Sequence, residues 1–143
     1  MSTIRTDPVT GRRVIIASER ADRPRTFREE RSRLPYTEHC PFCVGNEEST
    51  PKDIQTYPAD TSDWSVRVVP NKYPAVSTNR DWRVADDGLF ESASGLGAHE
   101  VIIESPEHVV DLSDLEVDQM TTVLGAWSDR IGDLGGDERL EYA

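Results

Sequence analysis

The sequence predicts the elements of an α+β fold on three observations. Runs at 13–17, 64–69 and 99–104 are β-branched or alternate like strands, one amphipathic helix follows them behind Ser113, and turn-forming residues separate the elements. A chain of 143 residues holds one domain with a core and is too short for two comfortable ones.

Each element has a local reason. Asp7-Pro8-Val9-Thr10-Gly11 is turn chemistry, because proline fixes one dihedral and glycine accepts a positive φ. It leads into the strand-forming Arg13-Val14-Ile15-Ile16-Ala17. From 18 to 37 there is no apolar period, so a long polar loop is expected, of the length that usually carries function. Gly45 to Pro51 reads as loop again, and Trp64-Ser65-Val66-Arg67-Val68-Val69 as a strand with one buried face, stopped by Pro70-Asn71-Lys72-Tyr73-Pro74. The stretch 77–97 reads as an excursion with one short strand at most, before the strand 99–104. Ser113-Asp114-Leu115-Glu116 has capping-box spacing. Behind it Val117, Met120, Leu124, Trp127, Ile131 and Leu134 form one apolar stripe expected to pack on the core, and Gly135-Gly136 ends the helix. Residues 137–143 have the composition of one further strand.

The net charge of -11 argues against general attraction to nucleic acid or to an anionic membrane surface, so neither is expected as a partner. Against that background, nine arginines fall between Arg5 and Arg33. They form either a solvated face or a phosphate-binding edge, since the guanidinium fork matches phosphate oxygens two at a time. Both cysteines lie in one Cys-x-x-Cys, which leaves no disulfide framework, and the N-terminus lacks an apolar leader. A cytoplasmic location is the expectation.

The chemistry concentrates in His39-Cys40-Pro41-Phe42-Cys43 and in the turn Ser105-Pro106-Glu107-His108. Two thiolates on one tight turn suit a tetrahedral metal such as zinc, with His108 as a third donor. A redox pair and two plain structural thiols are the alternatives. His39 adjoins Cys40 too closely to serve as more than a supporting neighbour. His99 reads as a core or hydrogen-bonded histidine, though it, water or an outside side chain is needed for the fourth corner. No nucleophile elbow, phosphate-binding glycine loop or dinucleotide fingerprint is present.

Six ordered segments together resemble galactose-1-phosphate uridylyltransferases of the histidine-triad superfamily. They are Arg5-Thr-Asp7-Pro-Val-Thr-Gly11, Ser18-Glu-Arg20-Ala-Asp-Arg23-Pro24, Cys40-Pro-Phe-Cys43-Val-Gly-Asn46-Glu47, Val68-Val-Pro-Asn71-Lys-Tyr-Pro74, Gly88-Leu-Phe-Glu91-Ser, and Gly97-Ala-His99 onward through Glu107-His108. The resemblance implies a histidine-triad-like antiparallel sheet with helix packed on one face, and an N-terminal domain over 1–143 that stops before the family's His-x-His-x-Gln motif. It implies zinc held by Cys40, Cys43, His108 and the first histidine of that motif. It also implies that Arg20 and Arg23 contact nucleotide phosphates, and that Asn71 lies beside the uridine ribose. The family reaction is ping-pong transfer of UMP from UDP-glucose to galactose 1-phosphate through the motif's second histidine. No catalytic nucleophile is therefore expected in this chain, which alone should be inactive and should need a complementary C-terminal chain or a homodimer. The alternatives are an adenylyl-type transferase or phosphorylase of the same superfamily, and a non-catalytic zinc module that binds a partner through an open sheet edge.

Overall fold

The computed structural model describes residues 2–23, 40–59, 62–86 and 88–141. His39, most of the polar loop that precedes it, and the last two residues lie outside that set. The described residues form seven strands and one α-helix in an α+β arrangement whose antiparallel strands divide between two sheets. The strands are β1 (Thr3–Thr6), β2 (Arg13–Ile16), β3 (Gln55–Tyr57), β4 (Val66–Pro70), β5 (Val84–Asp86), β6 (Glu91–Ser94) and β7 (Glu100–Ile103). The helix α1 spans Val117–Gly135.

The first sheet has the order β2-β1-β6-β5 and is largely exposed. Its β1–β2 hairpin closes through the predicted turn, where the Asp7 carboxylate accepts from the Val9 and Thr10 N–H groups and Gly11 takes φ 68°. The excursion 77–97 thus contains two strands, β5 and β6, where one at most was expected. Both are short and polar, held by backbone pairing rather than by an apolar side, so their side chains leave no period to detect.

The second sheet, β3-β4-β7, holds the core. The central strand β4 is buried on both faces rather than one. On one face Val66 packs with Val123 and Ala126 of α1 and with Ile102. On the other, Val69 packs with Trp64 and Ile103, and Arg67 lies under them at 2% exposure. Each fully buried valine contributes about 1.5–3 kcal/mol. The buried charge of Arg67 is offset by Asp53 at 2.7 Å, Thr50 at 3.0 Å and the face of Trp64 at 5.2 Å, while its Nη1 has no hydrogen-bond partner among the described residues.

Two expectations about the helix are corrected. Ser113 and Glu116 make no capping box: Asp111 captures both the N–H and the hydroxyl of Ser113, each at 3.1 Å, in a short 3-10 turn over Leu112–Asp114. This local bond competes with the helix, which begins only after the extended Glu116. The apolar stripe also does not form the core. Val117, Leu124, Trp127 and Ile131 are 39–78% exposed, and the sheet instead meets Gln119, Val123, Ala126 and Arg130. Small side chains at 123 and 126 let the helix approach closely. Polar anchors then fix it: Arg130 grips Glu100 of β7 through two bonds of 2.8 Å, and Gln119 donates to the carbonyls of Ser65 and Glu104.

The expected strand over 137–143 is absent among the described residues, because Asp137 and Arg139 close a turn by a 2.6 Å ion pair. Among the described residues, no helix is long and apolar enough to cross a membrane. The helix orientation predicts that Ala126→Leu overpacks the sheet contact and lowers stability by about 1–3 kcal/mol. Leu124→Gln should stay within about 0.5 kcal/mol of wild type. Urea unfolding of both variants measures this, and the reverse ranking would place the stripe inward.

Candidate metal centre and nucleotide clasp

Strand β7 connects two clusters of candidate functional side chains, with His99 just before it and His108 beyond its far end. The turn that bears His108 is shaped by Ser105, whose hydroxyl accepts the Glu107 N–H at 3.1 Å. Against it docks the cysteine knuckle, through a 2.8 Å bond from the Val44 N–H to the Pro106 carbonyl. Within the knuckle, the Cys43 N–H reaches back to the Cys40 carbonyl, and the Asn46 side chain donates to the same oxygen at 2.9 Å. Gly45 takes φ 88°, a conformation that favours glycine, and its N–H bonds Glu47. Glu47 also accepts from Trp64 at 3.0 Å, so the knuckle is tied to the core.

This brings Cys40, Cys43 and His108 together as expected, their donor atoms all within 4.8 Å of one another and Cys43 Sγ 3.6 Å from His108 Nδ1. Burial, and then the neighbouring Cys40, push the Cys43 thiol up to about 11. A cation between the three donors would favour the thiolate form that burial opposes. The donor set, two sulfurs and an imidazole, therefore fits a metal ion. His99 is not a member of the set. A cavity of about 350 Å³ opens beside the trio, bounded by Val101, Ile103, Glu104 and Leu115. Burial raises the Glu104 carboxyl above the usual range there.

At the other end of β7, His99 organises a polar cluster. Its Nδ1 accepts the Ala75 N–H at 3.0 Å and lies 3.4 Å from the Arg20 guanidinium; its Nε2 lies 3.1 Å from the Asn71 side-chain nitrogen. Asn71 is oriented from both sides, its N–H bonding the His99 carbonyl at 2.8 Å and its Oδ1 accepting the Tyr73 N–H at 2.9 Å. Arg20 sits in the 3-10 turn Ser18–Asp22, and Arg23 caps that turn while remaining exposed. Burial, then the charges of Arg20 and Arg23, hold the His99 ring below the ordinary histidine value. Arg20 and Asn71, distant in sequence, are thus brought together at His99, and the charge of Arg23 acts on the same ring.

One participant, Arg67, went unread in the sequence. The hydrogen-bonding role expected of His99 is present, but its partners were not legible. Arg67, which holds the loop after the knuckle through Thr50 and Asp53, carried one signal: a charged residue in the middle of an apolar strand.

The chain is similar to several characterised proteins. It is 34% identical to an ADP-glucose phosphorylase of Arabidopsis thaliana over 97% of this chain and 41% of the relative. It is 28% identical to a galactose-1-phosphate uridylyltransferase of Cryptococcus neoformans over 87% of this chain and 33% of that protein. The chain thus spans 33–41% of the length of these relatives. Among solved structures, the Arabidopsis ADP-glucose phosphorylase with bound ADP-glucose superposes with a TM-score of 0.61 at 32% identity, over 99% of this chain and 41% of that one. A uridylyltransferase mutant superposes at 0.63 and 28%, over 95% of this chain and 35% of that one. The description "Galactose-1-phosphate uridyl transferase, N-terminal domain" matches residues 1–143, and the chain belongs to that family.

Proposed function

We propose that this chain is the nucleotide- and metal-binding part of an enzyme that moves a nucleotidyl group from a nucleoside diphosphate hexose. The observation that carries the reading is the grouping of Arg20 and Asn71 on His99 with Arg23 alongside. Two guanidinium groups suit a diphosphate, and the Asn71 amide suits a ribose hydroxyl. During transfer the arginines offset charge on the phosphoryl oxygens.

The three histidines of the sequence are His39, His99 and His108, none in a His-x-His-x-Gln context, so the attacking imidazole comes from outside these residues. A complementary C-terminal segment supplies it, seated along β7, which is an edge strand of its sheet among the described residues. The same segment completes the coordination of zinc at Cys40, Cys43 and His108. Zinc bound there is structural and fixes the knuckle against the turn after β7.

The base has two readings. An ADP-sugar is favoured by the 34% identity to an ADP-glucose phosphorylase across nearly the whole chain. UDP-glucose, with galactose 1-phosphate as acceptor, is favoured by the family match and by the uridylyltransferase relative. Competition between ADP-glucose and UDP-glucose for the protein separates them.

Three outcomes check the proposal. Arg20→Ala and Arg23→Ala should each weaken sugar-nucleotide binding about tenfold to a hundredfold, the loss of a charge-assisted hydrogen bond, as read by calorimetry. The purified chain without a partner should not turn over either sugar nucleotide, and turnover would overturn the placement of the nucleophile. Cys43→Ser or His108→Ala should lower bound zinc in metal analysis; unchanged zinc would remove the metal centre. Stoichiometric zinc without any sugar-nucleotide binding would support a non-catalytic module instead.

A further inference from the structure

We infer that His99 is a positioning residue of the nucleotide clasp, holding Asn71 through its backbone carbonyl and Arg20 through a ring whose Nδ1 must stay unprotonated, so that the grip on a diphosphate weakens in acid. This rests on the nucleotide-binding reading of Arg20, Arg23 and Asn71.

The geometry fixes the ring's state. The Ala75 N–H is an obligatory donor, and it points at Nδ1 from 3.0 Å. Nδ1 is therefore the acceptor, and the neutral ring carries its proton on Nε2. The Arg20 guanidinium, a donor with no acceptor capacity, approaches the same Nδ1 at 3.4 Å. On the other side, the Tyr73 N–H takes the Asn71 oxygen, which leaves the Asn71 NH2 group facing Nε2 at 3.1 Å.

Among the described residues, donors thus outnumber acceptors around one ring. The Ala75 N–H, Arg20, the Asn71 amide and Nε2–H meet a single ring acceptor, Nδ1. An oxygen-rich ligand supplies what the cluster lacks. A ribose hydroxyl or phosphate oxygen accepts from the Asn71 amide and from the Arg20 guanidinium. The arrangement selects for ligand acceptors and against a second cation.

A second proton on the ring would go to Nδ1. It would face the Ala75 N–H and Arg20 head-on, and one of them must move. The charged groups acting on the ring are the two guanidinium groups, from the 3-10 turn and its cap. Among the described residues, the ring meets Asn71 and a backbone N–H from the segment after β4, and Glu100, next along β7, is engaged by Arg130 instead. Nothing on this list rewards protonation. Burial and the two arginines hold the ring's pKa below its ordinary value, so the change falls on the acid side of 6.5. Because binding needs the unprotonated ring, affinity is full above that range and declines as pH falls through it.

The test is calorimetric binding of ADP-glucose and of UDP-glucose to the full chain across about pH 5 to 8, the histidine range. Wild type should lose affinity about tenfold per unit once the pH is below the ring's pKa. His99→Asn places an amide oxygen where Nδ1 stood and does not titrate. It should bind within a few-fold of wild type at the alkaline end and keep that affinity in acid. His99→Ala should bind weakly at every pH. Parallel pH profiles for wild type and His99→Asn, or tighter wild-type binding in acid, would overturn the inference while leaving the clasp intact. Absence of wild-type binding to either sugar nucleotide at all pH values would remove the nucleotide reading and this inference with it. Ring 15N shifts give a ligand-free check: at neutral pH they should report Nε2 protonated, and a proton on Nδ1 would overturn the inference.

Discussion

The structure depends on the register in which β4 pairs with β7. Val68 lies opposite Ile102 and Val69 opposite Val101, and the pairing runs on to the bond between Asn71 and the His99 carbonyl. One end of this two-stranded unit therefore carries the clasp. The other releases the chain into the Ser105-Pro106 turn that presents His108 to the knuckle. A slip of one residue would turn every side chain of β7 to the opposite face, and it would separate Asn71 from His99. Pro70 fits this register because it sits opposite Glu100 between the two hydrogen-bonded pairs, where β7 asks no N–H of it.

Buried polar groups hold the register. Arg130 reaches from the helix to Glu100 of β7, and Gln119 bridges carbonyls at the start of β4 and the end of β7. Beneath the other face, Arg67 ties β4 to Thr50 and Asp53 in the segment that follows the knuckle. Such pairs add less net stability than apolar contacts of the same size, yet each tolerates few alternative geometries. In this chain they fix strands that bear functional side chains at their ends.

Much of the site was legible in the sequence because its residues come in short local patterns. The Cys-x-x-Cys knuckle, the Ser-Pro turn before His108 and the Pro-Asn stop after β4 each encode their shape within a few residues. What the sequence did not reveal is long-range. Apolar spacing in α1 defined a face but not its direction, and the sheet took Val123 and Ala126 because small residues allow closer approach. The capping box failed because Asp111, just outside the expected motif, competed for Ser113. β1, β3, β5 and β6 are short strands with polar residues, and their pairing leaves no period in the side chains. The union of Arg20, Asn71 and His99 spans 79 positions, beyond what any local pattern expresses.

The clasp and the metal trio are thus two outcomes of one strand pairing, and the most direct measurement is of that pairing. Nuclear Overhauser contacts between backbone Hα protons on β4 and β7 report it, since directly opposed residues outside the hydrogen-bonded pairs approach to about 4.5 Å between Cα atoms. The account predicts a strong Hα–Hα contact between Val68 and Ile102. A contact of Val68 with Val101 or Ile103 in its place would contradict the account, because neither Asn71 nor His108 would then stand where its partners wait.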